Sequence, residues 1–196
     1  ARKSGRHLYD MLYGPPREST AAFDMGTVLH ASALPGEDAD EIAVRMPEGM
    51  KKTTKEGIAF KKEHQGKIIL NASDAYVVDQ MMLSLREHPF SASLVNGELK
   101  GKAEQSFFCT DPETGLELKA RPDFLMEDLS LILDLKTTVD ASPTGFQRSV
   151  ANYRYFVQAS HYLDVIEGAT GTRPQAFLFV AVEKARPFST AVYMAD

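Results

Sequence analysis

The sequence predicts one α/β domain, a mixed sheet flanked by helices with a helical layer before it. Three observations carry this. Residues 1–97 read mainly as helices, whereas from about residue 98 the apolar residues recur with period two. The coarse order of the core is helix, three strands, helix, strand, which suits a single layered unit. Ala176 to Val182 is a continuous apolar run, the mark of an interior strand covered on both faces. A length of 196 residues, 43% hydrophobic and 25% charged, fits one domain with a substantial core, and neither a linker nor a repeat interrupts it.

In chain order, Arg2 to Tyr13 suits a short helix stopped by Gly14-Pro15-Pro16. Ser19 or Thr20 can cap a helix over about Ala21 to Leu34, with Phe23, Val28, Leu29 and Ala33 available for packing and Pro35-Gly36 ending it. Gly26 and His30 lie four apart, hence on one face. A glycine there lets a backbone or a metal approach, at about 1 kcal/mol of helix stability relative to alanine. Glu41 to Arg45 reads as a short strand and Pro47-Glu48-Gly49 as a turn. Thr53 or Thr54 begins a helix to about His64. Ile68 to Leu70 is strand-like, and Ser73-Asp74 caps a longer helix whose Tyr76, Val77, Met81, Met82 and Leu85 form a core stripe. Pro89 marks the end of this layer.

Ala103 to Cys109 then reads as a strand, Asp111 to Gly115 as a turn, and Leu116 to Arg121 as the returning strand. Pro122, which cannot donate a ladder hydrogen bond, ends or bends that strand beside Asp123. Leu131 to Leu135 has strand length but carries Asp134 and Lys136, which share a face because residues two apart do so in a strand. Leu133 and Leu135 point the other way and anchor it. The pair is expected at the strand's end, presented rather than buried. Pairing with the strand before Asp123 brings the two carboxylates together beside Lys136. Converging carboxylates repel unless a cation joins them, and hard oxygen donors suit Mg2+ or Mn2+. Thr137-Thr138 leaves the strand, and Ser142-Pro143 offers a helix cap with proline at the first position. A second helix over about Tyr153 to Glu167 ends at Gly168, with Tyr155, Phe156, Ala159, Tyr162, Leu163 and Ile166 as its apolar stripe. Gln158 lies on the shoulder of that stripe, where it can point into a cleft. Phe188 to Met194 suits a final strand.

Composition excludes several classes. No stretch reaches the roughly 18 apolar residues of a membrane span, and no hydrophobic signal region follows the first residues, which predicts a cytoplasmic protein. Cys109 is the one cysteine, so neither a disulfide framework nor an iron–sulfur cluster is expected. The net charge of −5 opposes nucleic-acid binding mildly, but acids at a site are cancelled by bound cations. Basic residues also cluster, at Lys51, Lys52, Lys55, Lys61, Lys62 and Lys67 and at Arg2, Lys3, Arg6 and His7. Any single lysine of such a run reads first as part of a solvated face.

Pro122-Asp123, ten residues, then Asp134-Leu135-Lys136 is a PD-(D/E)xK pattern. Gly26-Thr27-Val28-Leu29-His30, Ala103-Glu104, Arg121-Pro122-Asp123, Asp134 to Thr138 and Gln158 to Tyr162 as Q-x3-Y follow in an order that resembles the RecE-type exonucleases (exonuclease VIII), relatives of the RecB nuclease domain and lambda exonuclease. The likeness runs from about residue 20 to the end. It implies a restriction-endonuclease-like αβββαβ core and 5′-to-3′ digestion of double-stranded DNA to mononucleotides, leaving 3′ single-stranded overhangs for recombination. It also implies metal held by His30, Asp123, Asp134 and the Leu135 carbonyl, and Lys136 orienting or deprotonating the attacking water. Glu104, Gln158 and Tyr162 join the catalytic set, with Arg121, Thr137, Arg148 and Arg154 as phosphate contacts. Mg2+ is the expected cofactor, with Mn2+ also active. A RecT-like annealing protein, a phage or prophage origin and a homo-oligomeric ring, tetramer favoured over trimer, complete the expectation. The rivals are an endonuclease with the same site and a catalytically silent DNA-binding module of a recombination complex.

Overall fold

The computed structural model describes residues 4–15 and 19–195; Arg2, Lys3 and Pro16 lie outside that range. The N-terminal layer comprises α1 (Gly5–Tyr13), α2 (Ala21–Ala33), α3 (Ala39–Ile42), β1 (Ala43–Arg45), α4 (Lys55–Glu63), β2 (Ile68–Leu70), α5 (Ala72–Glu87) and α6 (Pro89–Val95). The helix starts follow local chemistry. Thr20 accepts a hydrogen bond from the Phe23 amide and Thr54 one from Gly57, each satisfying a donor the helix itself cannot. In α2 the buried residues are Val28, Leu29, Ala31 and Ala33, whereas Phe23 is exposed instead of packed.

Three readings of this layer change. Glu41–Arg45 is not one strand: the Asp38 carboxylate accepts from the Asp40 amide at 2.8 Å and starts the turn of α3, leaving only Ala43–Arg45 extended. Asn71, not Ser73-Asp74, caps α5, accepting from the Asp74 amide at 2.9 Å. Pro89 does not close the layer. It opens α6, because the first helical position needs no amide donor.

The remaining strands are β3 (Gly101–Ala103), β4 (Phe107–Thr110), β5 (Glu117–Ala120), β6 (Phe124–Met126), β7 (Leu131–Thr138), β8 (Ala176–Glu183) and β9 (Thr190–Met194), with α7 (Pro143–Tyr153) and α8 (Tyr155–Thr170) between β7 and β8. The main sheet is five-stranded in the order β3-β6-β7-β8-β9; β7 and β8 are parallel and the other pairs antiparallel. It is the expected mixed sheet. The expected strand Ala103–Cys109 is broken at Glu104–Ser106 into β3, in the main sheet, and β4, which pairs with β5 in a separate ribbon. β7 therefore does not pair with the strand before Asp123. Its antiparallel neighbour is β6, which begins after Asp123. Thr137 and Thr138 stay within β7, opposite Val182 and Glu183.

Alternation along β7 and β8 divides the core. Leu135, Val180 and Val182 pack against α2 and α5, while Ile132, Phe177, Phe179 and Ala181 pack against α7 and α8. Ser142 caps α7 through the Gly145 amide as expected. Helix α8 runs past Gly168 and stops at Gly171, whose φ of 76° suits a C-terminal glycine. Gly168 serves packing: a Cβ there would lie 3.0 Å from the Cys109 sulfur of β4. Tyr155, Ala159, Tyr162, Leu163 and Ile166 join the core from α8, but Phe156 faces solvent.

Candidate active site

The site forms where β7 outruns its neighbour. β8 accompanies β7 along its whole length, but β6 pairs with it only at Ile132 and Leu133. Past that point the backbone of β7 needs another partner. Asp123, the residue before β6, supplies one: its carboxylate accepts from the Leu135 amide at 2.7 Å. Continuing the register by one residue sets Asp123 opposite Asp134.

Asp134 is fully buried in mid-strand, not presented at a strand end. Its environment is built for it. Gln158 of α8 donates to Oδ1 at 2.9 Å, and the Lys136 ammonium stands 2.6 Å from Oδ2. That second oxygen is nevertheless without a well-directed hydrogen bond, since the ammonium approaches outside hydrogen-bond geometry. Lys136 also lies 4.9 Å from the centre of the Tyr155 ring, over its face. By sequence Tyr155 belongs to the apolar stripe of its helix and to the family-like stretch Tyr153-Arg154-Tyr155, with no role of its own at the site; its spacing of three from Gln158 on one helix is the available signal.

From the opposite side, His30 of α2 brings Nδ1 to 3.4 Å from the Asp123 carboxylate. Glu104 occupies the break between β3 and β4 with a φ of 54°, uncommon for a residue with a side chain, and its amide donates to the Asp123 carbonyl at 3.1 Å. Ligand atoms of His30, Glu104 and Asp123 all lie within 4.8 Å of one another. The protein thus adds Glu104 to His30 and Asp123, while Asp134 sits behind them with Lys136. Arg121 pairs with Glu104. His30, Glu104, Arg121, Lys136 and Thr137 line one open cleft of about 640 Å³. Gly26 lines it too, but a Cβ there would meet only Thr137 Oγ1 at 3.8 Å, ordinary contact, so no close backbone approach demands the glycine.

Three residues expected at the site stand apart from it. Tyr162 packs toward Phe177, ring centres 6.2 Å apart, and does not line the cleft. Arg148 is exposed on α7, near Asp140, whose carboxylate is held below its ordinary value by Ser142 first and by the Arg148 charge only after it. Arg154 joins α7 to α8 in a left-handed conformation, φ 58°, with its side chain in solvent. The acid-two-lysine spacing was legible because both side chains belong to one strand; these three depended on how separate helices pack.

The electrostatics are those of a cation site. Burial pushes the Asp134 carboxyl up to about 7, with the Asp123 charge adding to it against the pull of Lys136. Burial likewise raises Asp123 to about 6. Burial also lowers His30, outweighing the attraction of Asp134, so its imidazole is neutral and has a lone pair to offer. For Lys136 burial acts downward, yet contact with Asp134 prevails and the ammonium is raised. Two acids at a cost when charged, a neutral imidazole and an under-satisfied buried carboxylate oxygen fit a hard divalent cation.

The sequence matches, over residues 3–196, the family described as "PDDEXK-like domain of unknown function (DUF3799)". The chain belongs to that family. This PDDEXK-like domain is therefore of the nuclease type that its acids and lysine indicate. A crystal structure of a candidate exonuclease from Eubacterium rectale superposes with a TM-score of 0.63 at 13% identity, covering 96% of this chain and 64% of that one. At such identity the likeness speaks for the fold. The PDDEXK-like domain thus spans less than two thirds of that protein's length. An alkaline exonuclease from Laribacter hongkongensis matches at a TM-score of 0.33 and 13% identity over 78% of this chain and 76% of that one, too loosely to carry an argument. No curated protein matches the sequence.

Proposed function

We propose that the chain is a metal-dependent deoxyribonuclease that digests duplex DNA from 5′ ends, releasing mononucleotides and leaving 3′ overhangs. The observation that carries metal-dependent cleavage is the convergence of His30, Glu104 and Asp123 beside the Asp134–Lys136 pair, at an open cleft that His30, Glu104 and Lys136 line. His30, Glu104 and Asp123, with Asp134 behind them, are the residues to hold Mg2+ or Mn2+; the Leu135 carbonyl is a further candidate donor. Bound there, the cation supplies Lewis-acid polarisation of the phosphate and a more acidic water.

The rest of the chemistry belongs to the chain. Lys136, whose ammonium the contact with Asp134 favours, orients the attacking water and stabilises charge on the phosphate. Asp134 and the Tyr155 face hold that ammonium in place, and Gln158 holds Asp134. Arg121 and Thr137 border the cleft, where they are the candidates to contact phosphates. The resemblance to RecE-type exonucleases supports the 5′-to-3′ direction, a cytoplasmic role in recombination and a strand-annealing partner.

Digestion of linear duplex with Mg2+, labelled at 5′ or at 3′ ends, tests the reading. The 5′ label should leave at once as mononucleotide while the 3′ label stays on a shortening strand, and closed circular duplex should survive. Cutting of the circle would make the chain an endonuclease, and binding without cleavage in either metal a silent module.

A further inference from the structure

Phe23 at the cleft and Tyr153 beside it are exposed rings that the cation and lysine chemistry does not use. Phe23, in the first turn of α2, lines the cleft yet is 70% exposed. Thr27 and His30 follow it at i+4 and i+7 and line the same cleft, so the three share one helix face. From the other face of the sheet comes Tyr155, with Lys136 over its ring. Tyr153 stacks on Tyr155, ring centres 5.5 Å apart and planes at 22°, and is itself 71% exposed. Scattered single apolar side chains on a surface need no explanation. Phe23 and Tyr155, lining one cleft from helices on opposite faces of one sheet, with the exposed Tyr153 stacked on the second ring, do.

We propose that Phe23 and Tyr153 stack on the bases of unpaired nucleotides flanking the phosphate at the His30 group, so that the cleft admits a strand end already separated from its complement. This rests on the nuclease reading above. A base inside a duplex has both faces covered; an unpaired base has a free face, and stacking on an aromatic side chain contributes about 1–3 kcal/mol per base whatever its identity. The spacing agrees. Seven residues of helix from Phe23 to His30 span about 10 Å, roughly three stacked nucleotides at about 3.4 Å each. Arg121 and Lys136 supply charge for the phosphates, and the rings supply faces for the bases.

The test uses duplexes with short unpaired 5′ ends carrying natural bases, abasic residues or 2-aminopurine. In Ca2+, chosen to slow hydrolysis while preserving binding, wild type should quench the 2-aminopurine fluorescence, and Phe23→Ala and Tyr153→Ala should each restore part of it while Phe23→Tyr does not. In Mg2+, each alanine variant should lose roughly ten-fold in kcat/KM on natural ends. On abasic ends wild type should be slowed comparably and the variants no further. Quenching left unchanged by both alanine variants, or an equal loss on natural and abasic ends, overturns the stacking. Because quenching is read without cleavage, an inactive wild type would remove the nuclease reading and leave this one still measured.

Discussion

Lys136 and Asp134 hold one another, 2.6 Å apart, in a place where neither has much water. Lys136→Ala removes the donor proposed for the phosphate and should lower cleavage by about a hundred-fold or more, while metal binding by calorimetry persists. Asp134→Asn should lose both activity and metal affinity with the circular dichroism unchanged; wild-type rates from either variant would remove these residues from the reaction. The raised carboxyls also predict a pH dependence. In the metal-free fold Asp134 and Asp123 titrate near 7 and 6, above the ordinary 3.8, so the folded state binds more protons than the unfolded one between those values. Stability is therefore present at low pH and lost as pH rises through the folded values. His30, lowered, acts in the opposite sense below its ordinary 6.5, which makes pH 6.5 to 8 the clean window. Melting temperature should fall across it without metal, and the gain from Mg2+ or Mn2+ should grow, because the cation displaces those protons. A melting temperature and a metal gain both flat over this range would contradict the buried-acid account.

At the scale of elements, the short pairing of β3 with β6 supports the acidic group from below. Gly101 lies opposite Met126, and a Cβ at this position would collide with the Leu125 carbonyl and the Phe124 ring, both fixed in the sheet. Gly101→Ala should cost about 1–3 kcal/mol, a fall in melting temperature of about 5 °C. Its second effect should be functional. Glu104 directly follows β3, so a displaced strand should weaken Mg2+ binding even where the protein remains folded. Gly168→Ala, on α8 against Cys109, presses on β4 instead of the β3–β6 pairing and should leave metal affinity alone. Equal metal affinity in both variants would mean that β3 does not position Glu104.

For the whole molecule, the proposed exonuclease activity would require a domain with net charge −5 to stay on DNA through successive cuts, when affinity comes mainly from neutralising phosphates. A closed ring would pool scattered cations around the duplex. Lys51, Lys55, Lys61 and Lys62, on and before α4, are exposed and available for such a channel, whereas Lys67 already donates to the Asp40 carbonyl at 2.7 Å. Light scattering should give a discrete trimer or tetramer, the latter favoured by the resemblance, and digestion should continue on the same molecule after trap DNA is added. A monomer that releases DNA after each cut would leave the chemistry standing without the ring. Among the described residues no helix is long and apolar enough to cross a membrane.

What the sequence determined by itself is local. Period-two alternation sets Asp134 and Lys136 on one face and Leu133 and Leu135 on the other, and Thr20, Thr54 and Ser142 mark helix starts, since a cap needs only residues two or three positions away. The PD-(D/E)xK spacing is legible for the same reason. Tertiary structure alone decided which strand pairs with β7, because alternation specifies a face but not a partner. From that pairing follow the carboxylate of Asp123 on the Leu135 amide, the burial of Asp134, and the backbone break that turns Glu104 toward His30. The Tyr155 face over Lys136 depends likewise on helix α8 lying across the sheet, a matter of packing between segments far apart in the chain.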